Sequence, residues 1–141
     1  MISLSDAPSV EVRAAWPQDQ AFVAATFREQ LARQHAAAPY KTADRIVDRI
    51  LDSERTRVLV AVDGKRLIGW LAYVEMPRVR ALLFAYVRKE HRSQGVARAL
   101  AAKAWPRATG QWIHCGLRGG STRQLLERFS GALEMPLEEM L

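Results

Sequence analysis

The sequence predicts a single α/β domain in which helices pack on a mixed sheet. Three patterns support this prediction: two apolar runs joined by Asp63-Gly64, a continuous apolar run at 81–87, and four-residue apolar spacing in the segments around them. Apolar residues that recur every three to four positions indicate helices, whereas short apolar runs bounded by turn residues indicate strands. Their succession along one chain is typical of a mixed sheet with helices.

The first third of the chain predicts one strand and two helices. The alternating segment Val10–Ala14 indicates a strand, and Pro17 suits the first turn of a helix that runs to about Gln34. Its apolar stripe consists of Val23, Phe27 and Leu31. Pro39 interrupts this pattern, and Thr42 is the expected cap of a second helix. The inward residues of that helix are Ile46, Val47, Ile50 and Leu51.

The middle of the chain predicts three strands. The runs 58–62 and 67–74 flank Asp63-Gly64, which is typical of a type I′ hairpin. Met76-Pro77 ends the second run, and the next strand is expected from Arg80 to Val87. Because 81–87 is apolar at every position, this strand is expected to be central and covered on both faces.

The last third predicts two helices and two further strands. We expect a helix from about Gly95 to Arg107, a strand over 111–115 and a last helix capped by Ser121. The apolar residues of that last helix are Leu125, Leu126 and Phe129. The remaining segment, 132–141, has room for one short strand.

The composition fits one globular domain over residues 1–141. Hydrophobic residues make up 49% and charged residues 26% of the 141 residues, which excludes fibrous and disordered classes. The single cysteine, Cys115, suits a reducing compartment. No apolar run approaches the roughly 20 residues of a membrane span, and the first residues carry no secretory pattern. We therefore expect a soluble, cytoplasmic protein with no membrane partner.

The positive charge is concentrated in one half of the sequence. Residues 1–77 hold ten basic and ten acidic side chains, whereas 78–128 hold eleven basic side chains against Glu90 and Glu127. An anionic ligand therefore favours the second half. Arginine accounts for 17 of the 21 basic residues, which a GC-rich genome also produces without any ligand. The three histidines and one cysteine show no ligand spacing, so no metal site is predicted.

The segment 85–100 carries the strongest functional signal. It reads as a central strand, a short polar turn, Gly95 and a helix rich in small residues. Unpaired amides at a helix start attract phosphate, and a glycine there lets the backbone approach the ligand. Arg92 adds a formal charge beside these amides. The pattern predicts a cradle for an anion.

The motif Arg92-x-x-Gly95-x-Ala97 after a strand ending at Val87 resembles the coenzyme A signature of the GCN5-related N-acetyltransferases (GNAT). This resemblance implies one GNAT-like domain with a mostly antiparallel central sheet, helices on both faces and a shortened C-terminal end. It also implies acetyl-CoA as co-substrate and an amine as acceptor. By the same resemblance, Tyr86 and Val87 bind the pantetheine arm. The pyrophosphate is assigned to Arg92, Ser93, Gln94, Gly95, Val96 and Ala97.

This chain has only some of the catalytic groups that the resemblance implies. Many relatives carry a tyrosine acid in the last helix, and Leu126 stands at that position. Relatives that acetylate protein N-termini carry a glutamate base where this chain has His114, and an imidazole is a suitable general base at neutral pH. A core histidine satisfied by the backbone is the alternative. Glu75, at the end of a strand, is a second candidate base or a solvated carboxylate.

Three functions remain open from the sequence. The first is an acyl-CoA-dependent N-acyltransferase. The second is an inactive GNAT-fold protein that acts as an interaction module, and because only 131–141 remains to close the sheet, a homodimer formed at its edge is expected to be feasible. The third is nucleic-acid binding through the basic half, which the aromatic residues disfavour because they lie within apolar patterns.

Overall fold

One six-stranded sheet forms the centre of the molecule. The computed structural model describes residues 10–34, 39–76, 79–105, 111–115, 117, 121–128, 133–135 and 137–141. The strands are β1 (Val10–Ala14), β2 (Thr56–Asp63), β3 (Arg66–Glu75), β4 (Val79–Val87), β5 (Gln111–His114) and β6 (Leu133–Glu134). The helices are α1 (Gln20–Gln34), α2 (Pro39–Asp52), α3 (Val96–Ala104), α4 (Thr122–Arg128) and α5 (Leu137–Met140).

The strands lie in the order β1-β2-β3-β4-β5-β6, and the sheet is mixed. Strands β1 to β4 are antiparallel neighbours, whereas β5 is parallel to β4 and β6 is parallel to β5. Among the described residues, the part of β4 that pairs with β5 is Val79–Leu82, and the rest of β4 continues beyond this pairing. The predicted mixed, mostly antiparallel sheet is confirmed.

Each face of the sheet has its own apolar core. The first, the α1–α2 core, contains Val23, Phe27 and Leu31 from α1 with Val47 and Ile50 from α2. The second, the α3–α4 core, contains Val96 and Leu100 from α3 with Leu125 and Leu126 from α4.

Strand β4 contributes to both cores, so its predicted central position is confirmed. Leu83 and Phe84 belong to the α1–α2 core, and Leu82 and Ala85 belong to the α3–α4 core. The consecutive residues Leu83 and Phe84 share one face because the register with β3 shifts there, as in a β-bulge.

Two predicted helix boundaries are wrong. Helix α2 begins at Pro39, so Thr42 lies inside it rather than capping it. Proline suits a first helical position because the amide it lacks has no partner there. Helix α3 ends at Ala104 instead of Arg107, because Trp105 leaves the helical conformation with φ −138° and ψ 84°. Arg107 itself lies outside the described residues.

The β2–β3 hairpin is confirmed, but its turn is not of the predicted type. Asp63 pairs with Arg66, so the two turn residues are Gly64 and Lys65. Gly64 has φ 65°, and Ser93 is the single non-glycine residue with positive φ in the described part of the chain. A type I′ turn needs positive φ at both central residues, whereas type II′ needs it only at the first. The turn is therefore of type II′.

The C-terminal end holds one element that the sequence pattern did not predict. The short strand expected within 132–141 is β6, and the four-residue helix α5 follows it with Met140 fully buried in the α1–α2 core. Ser121 stands immediately before α4, as predicted, whereas Phe129 lies outside the described residues. No helix in the described ranges is both long and apolar enough to span a membrane.

Asp19 ties the end of β1 to the start of α1. Its Oδ2 accepts hydrogen bonds from Arg13 Nη1 and from the Trp16 amide, both at 2.7 Å, and the residue is only 4% exposed. Burial raises the pKa of Asp19, but the hydrogen bonds from Arg13 and Trp16 and the charge of Arg13 lower it, and the net pKa lies below its ordinary value.

We expect the Asp19 cluster to make the free energy of unfolding fall at acidic pH. Because the folded-state pKa is depressed, the contribution is complete above the unfolded pKa of about 3.9 and is lost as the pH falls through the folded value. The difference between wild type and Asp19→Asn in urea unfolding should therefore be smaller at pH 3 than at pH 7. Asp48→Asn, at an exposed carboxylate, is the control. An unchanged gap between wild type and Asp19→Asn at both pH values would contradict this assignment.

Candidate functional site

A pocket of 490 Å³ opens where β4 ends and α3 begins. Its volume lies in the range typical of small-molecule sites. Six residues of the predicted cofactor set line it: Val87, Arg92, Ser93, Gly95, Val96 and Ala97. The lining also includes His91, Arg98, Ser121 and Leu125, which the sequence pattern did not assign to a cofactor.

The pocket floor is the uncapped start of α3. Gly95 is the N-cap residue in the left-handed region, with φ 82° and ψ 8°, and no side chain caps the helix. The first hydrogen bond of the helix runs from the Ala99 amide to the Gly95 carbonyl. The amides of Val96, Ala97 and Arg98 therefore have no acceptor within the helix. These amides together with the helix dipole favour an anion.

A second left-handed residue shapes the turn before α3. Ser93 has φ 65°, a conformation that costs a non-glycine residue about 1–2 kcal/mol. Such strain persists where surrounding structure enforces it and is frequent at ligand sites. No sequence signal marked Ser93 for this conformation.

Two arginine side chains, Arg92 and Arg98, line the pocket. Arg92 donates from Nε to the Val87 carbonyl at 2.9 Å, which anchors its guanidinium beside the α3 amides. His91 also lines the pocket. The nearby carboxylate of Glu90 is paired with Arg66 at 2.8 Å. A hydrogen bond with its own backbone and the charge of Arg66 hold the pKa of Glu90 below its usual value.

Two residues of the predicted cofactor set are not among the described lining residues. The Tyr86 ring packs on the α1–α2 core, 6.3 Å between centroids from both Phe22 and Trp70. The Arg88 amide donates to β3, so the alternate residue Tyr86 also turns its backbone groups to β3. The exposed Gln94 contacts the Glu90 carbonyl at 3.4 Å.

The start of α4 forms the opposite wall. Ser121 is 2% exposed, and Thr122 is fully buried. The Ala85 amide donates to Thr122 Oγ1 at 2.7 Å, and the Ser121 amide donates to the Ala85 carbonyl at 3.0 Å. These bonds occupy the amide and the carbonyl of Ala85 on the edge of β4, beyond the residues that pair with β5.

His114 and Cys115 lie where β5 separates from β4. His114 is 5% exposed and pairs in register with Leu82, so it faces the α3–α4 core. Cys115 packs on the α1–α2 core, with Sγ 3.5 Å from the Leu83 carbonyl, and burial raises the pKa of its thiol. The predicted opposite orientation of these two residues is confirmed. Neither is among the described residues that line the pocket.

Glu75 lies far from the pocket. It is exposed at the end of β3, 3.3 Å from Arg80. It pairs with Arg80 in register, whereas Val87 pairs with Gly69. Val87 lies seven residue steps along β4 from Arg80, which corresponds to about 23 Å.

Leu126, at the position of the tyrosine acid in relatives, is buried in the α3–α4 core. Its neighbour Leu125 lines the pocket instead. Among the residues whose positions are described, no group of three His, Cys, Asp or Glu side chains is arranged to hold a metal.

The sequence pattern of the acetyltransferase (GNAT) family matches residues 14–129 of this chain, which include the sheet from the end of β1 to β5 and the whole pocket. The chain belongs to the GNAT acetyltransferase family. Among curated proteins, the search found no match.

Solved structures of low sequence identity share this fold. A ribosomal-protein-alanine N-acetyltransferase from Brucella melitensis biovar Abortus 2308 has 22% identity and a TM-score of 0.58, over 90% of this chain and 95% of that one. AAC(6')-Iy in complex with a CoA-containing bisubstrate analogue has 17% identity and a TM-score of 0.58, over 89% and 91%. A transcriptional regulator from Bacillus halodurans C-125 has 16% identity and a TM-score of 0.59, over 89% and 98%.

Proposed function

We propose that this GNAT protein is an acyl-CoA-dependent N-acyltransferase that transfers an acetyl group from acetyl-CoA directly to an amine. The uncapped start of α3 at the floor of a pocket lined by two arginines is the observation that carries the proposal. It supplies unpaired amides, a left-handed glycine and an anchored arginine, which together suit a pyrophosphate. The similar structure of AAC(6')-Iy in complex with a CoA-containing analogue supports the same ligand.

The proposed cofactor residues are those that line the pocket. We assign the pyrophosphate to the amides of Gly95, Val96 and Ala97 and to Ser93 and Arg92. Val87, whose backbone faces away from β3, is assigned to the pantetheine arm. Tyr86 and Gln94 leave the proposed set because their contacts lie elsewhere.

His114 is the proposed general base, with Glu75 as the second candidate. In the reaction the amine loses a proton, its nitrogen forms a bond to the acyl carbon, and the carbon–sulfur bond breaks to release a thiolate. A pantetheine arm that extends from the pocket along β4 would pass Leu82, which pairs with His114, before Arg80, which pairs with Glu75. Leu126 cannot supply the proton that the thiolate takes up.

A GNAT-fold binding module without catalysis is the second candidate function. The buried Leu126 at the acid position favours it. Such a protein would bind acetyl-CoA without turning it over.

For either function we place the protein in the cytoplasm, since the single cysteine suits a reducing compartment.

The test has a binding step and a turnover step. Acetyl-CoA at a hundred times its dissociation constant stabilises the folded state by about 2.7 kcal/mol, which a thermal melt detects and calorimetry quantifies. Turnover is then measured with a panel of amines for wild type, His114→Ala and Glu75→Gln. We expect only His114→Ala to lose activity while acetyl-CoA still binds. Absence of binding would refute the proposed function, and binding without turnover by wild type would favour the binding module.

A further inference from the structure

The edge of β4 that faces the pocket is already hydrogen-bonded within the protein at Ala85. Its amide donates to Thr122 Oγ1 at 2.7 Å, and its carbonyl accepts the Ser121 amide at 3.0 Å. The same carbonyl lies 3.4 Å from Thr122 Oγ1. Because Thr122 is fully buried, these bonds are shielded from competing water. A bound ligand therefore finds no open backbone donor or acceptor at Ala85.

The Ser121 side chain is the polar group that remains on this wall. Ser121 is 2% exposed and lines the pocket together with the α3 start. Among the described residues, none hydrogen-bonds its hydroxyl. Buried hydroxyl groups are normally hydrogen-bonded, so the hydroxyl of a lining residue that no described residue bonds is available to a ligand.

We propose that the Ser121 hydroxyl hydrogen-bonds an amide of the pantetheine arm, in place of the strand backbone at Ala85, and that Thr122 is the positioning residue that holds Ser121 there. This inference rests on the proposed function, because it needs coenzyme A in the pocket. A hydroxyl group both donates and accepts, so it can pair with either end of an amide. Ala85 lies two residues before Val87, on the side away from the phosphate cradle.

Two ligands separate the arm from the phosphates. Coenzyme A contains both, whereas adenosine 3′,5′-bisphosphate keeps the 3′-phosphate and one 5′-phosphate but lacks the second 5′-phosphate and the arm. We expect Ser121→Ala to weaken coenzyme A binding about fivefold in calorimetry, the usual effect of one lost hydrogen bond, and to leave adenosine 3′,5′-bisphosphate binding unchanged. Equal loss for both ligands, or no loss for either, would overturn the assignment of Ser121 to the arm.

Thr122 is tested with a matched pair of substitutions. Thr122→Val keeps the shape of the side chain but removes the hydroxyl, whereas Thr122→Ser keeps the hydroxyl. We expect Thr122→Val to weaken coenzyme A more than adenosine 3′,5′-bisphosphate, and Thr122→Ser to restore binding. A purely structural role would lower the melting temperature and leave this ligand difference unchanged. Tighter coenzyme A binding by Thr122→Val would show that the arm competes for Ala85, which contradicts the proposal.

The wild-type measurements keep the two proposals apart. If wild type binds neither ligand, the proposed function fails and the assignment of Ser121 fails with it. If wild type binds both ligands and Ser121→Ala behaves as wild type, the proposed function stands and only the assignment of Ser121 is overturned.

Discussion

Replacing Gly95 with glutamate is expected to weaken coenzyme A binding by about a hundredfold or more while the domain still folds. An ideal Cβ at Gly95 meets nothing within 4 Å, so the change causes no clash. It places a negative charge at the helix start that holds the phosphates, where like charges cost several kcal/mol. The left-handed φ of 82° adds strain of about 1–2 kcal/mol. Calorimetric titration with coenzyme A measures the loss.

Gly64 provides a matched control for this substitution. It also has a left-handed φ, 65°, and open space around its ideal Cβ, but it lies in the β2–β3 turn. Gly64→Glu should therefore carry similar backbone strain and leave coenzyme A affinity close to wild type. If Gly95→Glu bound coenzyme A as well as Gly64→Glu does, the phosphates would have to bind elsewhere.

Replacing Gly69 with alanine is expected to have the largest effect on stability, lowering the free energy of unfolding by roughly 2–4 kcal/mol. An ideal Cβ at Gly69 would lie 2.7 Å from the Tyr86 carbonyl oxygen and 3.3 Å from a methyl group of Val87. The first neighbour is backbone within a central pair of strands, so it cannot give way as a flexible side chain would. Glycine inside a strand often marks such a close approach.

We expect Gly69→Ala to disturb the pocket as well and to weaken coenzyme A binding. Val87 lines it, and the β3–β4 pair must separate locally to admit the new methyl group. Urea unfolding measures the stability, and coenzyme A titration measures the pocket. Gly64→Ala adds a methyl group in open space and should cost no more than about 1–2 kcal/mol. Equal stability of the two alanine variants would contradict the close approach at Gly69.

Much of the fold could be predicted from local patterns. The alternation of Val10–Ala14, the turn at Gly64 and the apolar run 81–87 each depend on neighbours within a few residues, and all three correspond to elements of the structure. The motif at Arg92 and Gly95 likewise predicted a polar turn and a helix start, which together line the pocket. These features follow from residue type and spacing alone.

The features that escaped prediction depend on distant partners or on backbone geometry. Thr122 bonds to Ala85, 37 residues away, and no local pattern contains that pairing. The register shift beside Phe84 and the backbone bonds of β3 determine where Tyr86 points. Ser93 adopts a conformation more typical of glycine or asparagine, so its residue type gave no signal.

The short contact between β4 and β5 has a consequence for how ligand and fold depend on each other. In the described part of the chain four register pairs join these two strands, and the pocket lies beyond the last of them, between the antiparallel part of the sheet and α4. A ligand bound there would contact both the antiparallel part of the sheet and α4, and would hold them together while it is bound. Binding and docking are thermodynamically linked. The free energy by which the bound ligand stabilises the docking of α4 equals the free energy by which docked α4 strengthens ligand binding. Solvent exchange of the Ser121 amide would then report how fully the pocket is occupied.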